Sequence, residues 1–222
     1  MNIEFRRKPD KEEMAATYEF FRKHKNKIIA FLIAIALIII ISSIYRSNYE
    51  SNRITAADKL FEIRTAYNSS NYEQVINRGN EYIKKYSGYD STGDILILVA
   101  KSYIRQNNTD QAVAILEDNK DLTDNPIFKY SVHNHLASLY MDKWLIEKDP
   151  EMAKKSGDHY LKAAESDREL HKERNLYKAA QSFTQAGNIT KAKNILTPLY
   201  QNLQDLEYNL REEVKYLYEN IE

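Results

Sequence analysis

LILVAKSYIRQNNTDQAVAIL, residues 96 to 116, and LYKAAQSFTQAGNITKAKNIL, residues 176 to 196, coincide without a gap at six positions. The matched pairs are Leu96 and Leu176, Ala100 and Ala180, Tyr103 and Phe183, Ala112 and Ala192, Ile115 and Ile195, and Leu116 and Leu196. Within each stretch apolar residues recur every three or four positions, the period of a helix face, and a polar turn interrupts them at Gln106 to Asp110 or Ala186 to Asn188. Each stretch therefore reads as a pair of antiparallel helices, with alanines where the two must approach closely. A unit that recurs within one chain predicts a stacked repeat architecture.

The spacing L-x3-A-x2-[YF]-x8-A-x3-L resembles the tetratricopeptide repeat, whose eighth and twentieth positions are small so that paired helices can pack tightly. Two weaker copies fit the same frame: Ile63, Ala66, Val75, Gly79 and Tyr82, and Ala137, Tyr140, Ala153, Gly157 and Tyr160 with four residues inserted between the paired helices. Val75, Ala112, Ala153 and Ala192 then hold the twentieth position at intervals of 37, 41 and 39 residues. These exceed the roughly 34 residues of the standard unit, which predicts long turns. Gly79 and Gly157 allow close backbone packing, at about 1 kcal/mol of intrinsic helix cost.

The remaining punctuation agrees with the frame. Asn-Ser-Ser-Asn at 68 to 71 marks another turn, and Asp124-Asn125-Pro126 starts a helix. Leu206, Leu210, Val214, Leu217 and Ile221 give an amphipathic last helix, which a solenoid needs to cover its exposed end. No run alternates convincingly with period two. The expected fold class is all-α: a single N-terminal transmembrane helix, then a short tetratricopeptide-like α-solenoid of about four helical hairpins, closed by a C-terminal capping helix.

The transmembrane element is IIAFLIAIALIIIISSIY, residues 28 to 45, which carries no charge. At ~1.5 Å per residue it is about 27 Å long as a helix, against ~30 Å of bilayer hydrocarbon. Twelve of its eighteen residues are Ile, Leu or Phe, worth about 4 to 7 kcal/mol on insertion. The 27 residues before it and the exit through Ser42-Ser43-Ile44-Tyr45-Arg46 do not fit a cleaved signal peptide. Residues 1 to 27 carry eight Lys and Arg (Arg6, Arg7, Lys8, Lys11, Arg22, Lys23, Lys25, Lys27), whereas residues 46 to 54 carry only Arg46 and Arg53. That asymmetry predicts a cytoplasmic N-terminus.

The expected organisation is a cytoplasmic basic segment at 1–27, the membrane helix at 28–45 and an extracytoplasmic repeat domain at 46–222. In a bacterium this is a single-pass inner-membrane protein with a periplasmic domain. Met14, Tyr18 and Phe21 share a face beside basic residues, which fits either an interfacial helix or a disordered tail. Between Pro9 and Gly79 there is neither Gly nor Pro, so the membrane helix is expected to run on toward the segment Ile54 to Tyr67.

Overall the chain has 32 basic and 32 acidic residues, and the part after residue 27 is slightly acidic, with 24 against 27. Nucleic-acid binding has no electrostatic support. The chain contains no cysteine, which argues against disulfides, thiolate metal sites and a lipidated cysteine.

An N-in helix followed by about 170 residues of divergent repeats, Phe20 to about Leu196, resembles the ancillary subunit of the SecYEG translocon, the YfgM-like family. The resemblance implies a chaperone-linked periplasmic partner of protein export. It brings no catalytic or binding motif with it.

Catalysis is not expected, and neither a cofactor nor a metal. His133 and His135, two apart, point about 200° apart on a helix and cannot chelate one ion as an i, i+4 pair does; they read as solvated or locally hydrogen-bonded. The chain has no G-x-S-x-G, no phosphate-binding loop and no Cys nucleophile, and the pairs Glu12-Glu13 and Glu212-Glu213 read as helix surface charge. Tyr82, Tyr103, Tyr140 and Tyr160 fall at repeat positions and are expected to fill gaps between helices.

In repeats of this type the first helix of each pair lines the concave surface. Here the corresponding positions give Leu60, Arg64 and Tyr67, then Ile97, Lys101 and Ile104, then Asn134 and Ser138, then Tyr177 and Gln181. The mixture suits an extended peptide or a helix from a protein partner, and suits an ordinary solvated face equally well. Trp144, in the inserted segment 141–151, reads either as a local core plug or as an exposed anchor for a partner. The functional expectation is a non-enzymatic, membrane-anchored protein-binding module at the export or envelope-assembly machinery. The alternative is a self-associating scaffold of an envelope secretion or motility complex.

Overall fold

The computed structural model describes residues 11–89, 91–122, 125–166 and 171–221. Arg6, Arg7, Lys8, Pro9 and Asp124, used in the sequence reading, lie outside them, as do the side chains of Lys11, Glu12, Glu13 and Phe21. The regular structure among the described residues is helical: α1 Lys11–Asn68, α2 Tyr72–Lys85, α3 Ser91–Arg105, α4 Thr109–Asn119, α5 Pro126–Glu147, α6 Pro150–Ser166, α7 Lys172–Gln185, α8 Ile189–Gln201, a 3-10 turn Leu203–Asp205, and α9 Tyr208–Asn220.

The chain divides into two compact units, Met1–Ile54 and Thr55–Glu222. In the first, the described part of α1 is long and apolar enough to cross a membrane, and no part of its apolar window is buried against protein. Phe31, Ile38 and Ile41 each expose about two thirds of their surface.

In the second unit the end of α1 packs on α2 through Ile63, Ala66, Val75 and Ile76 and through the Arg78–Glu62 pair, and α3 with α4, α5 with α6 and α7 with α8 form the further hairpins of a tetratricopeptide-like solenoid, closed by α9. The small positions sit at the crossings: Ala100 and Ala112, Ala137 and Ala153, and Ala180 and Ala192 are all essentially without solvent contact. Ile63 and Val75 take the same places in the first hairpin. The core forms two clusters. One joins α1 to α5 through Ile63, Val75, Leu96, Val99, Leu116 and Leu136; the other joins α5 to α9 through Phe183, Leu196, Leu210 and Val214. Each buried aliphatic or aromatic side chain contributes roughly 1.5 to 3 kcal/mol.

The turns within the hairpins are short, contrary to the long turns the repeat spacing suggested. In three of them a residue with positive φ (Ser70, Asn107, Gly187) precedes an asparagine that caps the next helix. Asn71, Asn108 and Asn188 each donate their backbone N–H to the carbonyl of Ala66, Tyr103 or Phe183, at 2.8 to 2.9 Å. Each then accepts on its side chain the amide of Gln74, Gln111 or Lys191 at 3.3 Å. The third hairpin repeats the device with Lys148 at positive φ and Asp149 accepting from Glu151 N. Its four extra residues lengthen α5 to 22 residues instead of loosening the turn. At the start of α5, Asn125 caps the amides of Ile127 and Phe128, and Pro126 takes the first helical position.

Candidate functional site

The ten residues expected to line the groove all keep solvent contact. Leu60, Tyr67, Ile97, Ile104, Asn134 and Tyr177 are half-buried, and Arg64, Lys101, Ser138 and Gln181 are exposed. Leu60, Tyr67, Ile97 and Ile104 rest their apolar bodies on the first core cluster, and Tyr177 rests on the second. Arg64 of α1 pairs with Asp94 of α3, tying the first helices of two successive hairpins. Arg174, one turn before Tyr177, reaches Glu207 and Glu213 near and on α9. Burial raises the Tyr177 phenol, Glu213 adds to this and Arg174 opposes it. The guanidinium groups of this surface are thus largely neutralised, while its aliphatic and amide groups remain accessible.

Trp144 is half-buried and belongs to neither core cluster. The Lys148 ammonium lies 4.6 Å from its ring centroid, a geometry that holds the indole face at the surface. Leu145 and Ile146 beside it are exposed.

Tyr82, Tyr140 and Tyr160 are buried as expected, and Tyr103 is half-buried. His135 is bonded locally, its Nδ1–H donating to the Ser131 carbonyl at 2.8 Å. His133 corrects the sequence reading: it is neither solvated nor locally bonded. It is 5 % exposed, and its Nδ1 lies 3.0 Å from Nδ1 of His159, on α6, 26 residues away. Nε2 of His159 in turn lies 3.0 Å from Oε1 of Glu117 on α4. The same carboxylate accepts from Tyr140 OH at 2.9 Å and from Lys120 Nζ at 2.7 Å. The Tyr140 ring stacks on His159 with centroids 5.5 Å apart.

This network, which the sequence reading missed, joins α4, α5 and α6. Its one visible trace is positional: His133 lies three, four and seven residues before Leu136, Ala137 and Tyr140, on the buried face of α5. Burial alone would raise the Glu117 carboxyl, but Lys120, Tyr140 and His159 outweigh it and hold the group down to about 2. Burial, then the neighbouring His159, pushes His133 down to about 4. Burial also lowers His159, against the pull of Glu117. Among the described residues no group of three or more His, Cys, Asp or Glu is arranged to hold a metal ion.

No protein-family model matches the chain, and no curated protein matches it. Among solved structures it is similar to a Podosopora anserina chain described as kinesin light chain with nearly identical TPR-like repeats. The two superpose with a TM-score of 0.53 at 10% identity, over 73% of this chain and 85% of that one. At that identity the likeness speaks for the fold alone, and the fold is a tetratricopeptide-like α-solenoid.

Proposed function

We propose that this chain is a membrane-anchored, non-catalytic module that binds other proteins through the first-helix surface of its repeats. The observation that carries this reading is the row from Leu60 to Gln181. Stacked hairpins present aliphatic, aromatic and amide side chains there whose apolar bodies are held by the core while their surfaces stay open. Rigidly held, half-buried groups bind a peptide or helix with little further loss of side-chain freedom.

The uncovered apolar part of α1 supports an anchor in the bilayer, and the lysines and arginines before it support a cytoplasmic N-terminus. The repeat domain then lies on the far side of a bacterial inner membrane, and the architecture fits an accessory role at the export machinery. Tethering raises the local concentration to the order of mM, so weak contacts suffice.

The test is a photo-crosslinking residue placed at Ile97 or Tyr177, with Lys84 as the comparison site, in cells expressing the full chain. Crosslinks from Ile97 and Tyr177 to translocon or periplasmic chaperone components, absent from Lys84, are expected. Adducts only between copies of the chain would favour the scaffold role and overturn the export assignment. Equal labelling from all three sites would overturn the groove. Protease protection in intact cells and spheroplasts tests the orientation independently.

A further inference from the structure

The Glu117, His159 and His133 network has no role in the binding surface, yet it places two imidazoles nitrogen to nitrogen inside the protein. With both rings neutral the hydrogen bonds run in one direction. His133 Nδ1–H donates to the Nδ1 lone pair of His159, and His159 Nε2–H donates to Glu117. One added proton fits the same geometry. His159 becomes an imidazolium that donates to Glu117 from Nε2 and to His133 from Nδ1, while His133 moves its own hydrogen to Nε2. A second proton does not fit. Two N–H groups and two positive charges then face each other across 3.0 Å, and neither nitrogen can accept.

We propose that Glu117, His159 and His133 form a proton-operated latch within the third hairpin, between α5 and α6, closed with no or one added proton and opened by the second. Its position suits the task, because His133 on α5 and His159 on α6 face each other across the third hairpin, while Glu117 of α4 holds His159 from the other side. The other charged groups facing the pair are Lys120 and Asp121 after α4 and Lys162 on α6. The two lysines resist an added proton, and Glu117 and Asp121 favour it. Burial holds the second step down to about 4, at His133, so the latch stays closed at neutral pH. Asn134 and Ser138 share α5 with His133, so an opened latch also shifts part of the proposed groove. The latch itself does not depend on what the groove binds.

The absence of cysteine allows clean spin labelling at the exposed positions Ile127 on α5 and Glu165 on α6, each replaced by Cys in the full chain in nanodiscs. The expected result is one narrow distance distribution at pH 7.5, and a second, longer population that grows to about half near pH 4, where His133 is half-protonated. In His159→Gln the amide donates to Glu117 and accepts from His133 but takes no proton, so the second population is expected to vanish. The same transition in His159→Gln, or no transition down to pH 4 in the unsubstituted network, overturns the proposal. Should that variant not fold, imidazole 15N shifts of the unsubstituted chain decide. Two separated protonation steps, the later near pH 4, support the latch; two coincident steps near the ordinary value overturn it.

Discussion

Gly157 of α6 lies flat against the ring of Phe183 on α7, so close that a Cβ at position 157 would come within 2.8 Å of Phe183 Cζ. Phe183 is fully buried and the Lys191 ammonium sits 3.9 Å from its centroid, so the ring has little room to retreat. Gly157→Ala is therefore expected to destabilise the protein by up to about 2 kcal/mol: overpacking costs roughly 1 to 3 kcal/mol, against the roughly 1 kcal/mol of helix propensity gained. Denaturant unfolding of the single variant and of Gly157→Ala with Phe183→Leu checks it. The smaller partner should make the alanine nearly neutral. Gly88, with open space around it, should accept alanine within about 0.5 kcal/mol.

The repeated turn makes predictions of opposite sign at equivalent positions. Ser70 holds a φ of 59° where the fourth hairpin has Gly187 at 73°. A left-handed conformation costs a side-chain-bearing residue roughly 1 to 2 kcal/mol, and glycine loses part of that gain to its freer unfolded state. Ser70→Gly should stabilise by up to about 1 kcal/mol, and Gly187→Ala should destabilise by about as much. Asn188→Ala removes a helix cap and should cost about 1 kcal/mol. Thermal unfolding of the three variants side by side reads all three signs.

The sequence displayed the repeat because close helix crossings demand small residues at fixed intervals, and Ala100, Ala112, Ala180 and Ala192 meet that demand visibly. Gly79 and Gly157 were legible for the same reason. The Asn71, Asn108 and Asn188 caps left a trace too, since the last two align in the paired stretches. The network around Glu117 left almost none. Its members come from three helices, spread from residue 117 to residue 159, and nothing periodic links a glutamate on α4 to a histidine on α6. The groove lies between these cases: its residues follow from the repeat frame, but a surface meant for a partner has the same composition as a solvated one.

Glu117 sets the acid sensitivity of the junction. Its folded pKa of about 2 lies below the ordinary value of 4.5, so the folded state prefers the carboxylate. The stabilisation is complete above pH 4.5 and is lost as pH falls toward 2. His133, held near 4 against an ordinary 6.5, prefers to be neutral when folded. It costs nothing above pH 6.5 and progressively more stability as pH falls from there toward 4. Glu117→Gln keeps the shape but weakens three charge-assisted contacts, and should lower stability at pH 7 by about 2 kcal/mol. Its unfolding midpoint should also fall less steeply than that of the unsubstituted chain between pH 4.5 and 2. Parallel slopes would show that Glu117 does not carry the acid response.

At the C-terminal end, Arg211 of α9 donates from Nε to the Leu203 carbonyl at 2.9 Å, and from one terminal nitrogen to the carbonyls of Gln204 and Leu206 at 3.2 Å each. One planar guanidinium thus fixes the 3-10 turn that leads into the last helix, whose Leu210 and Val214 close the second core cluster. Arg211→Ala leaves those carbonyls without their donor and should cost about 1 to 3 kcal/mol. Arg211→Lys keeps the charge but not the fork, so it should recover less than half of that loss. Hydrogen exchange should then show faster exchange in α8 and α9 for both variants, with α2 and α3 unchanged. Full recovery by lysine would mean that charge, through neighbours such as Glu207, matters here and the carbonyl clamp does not.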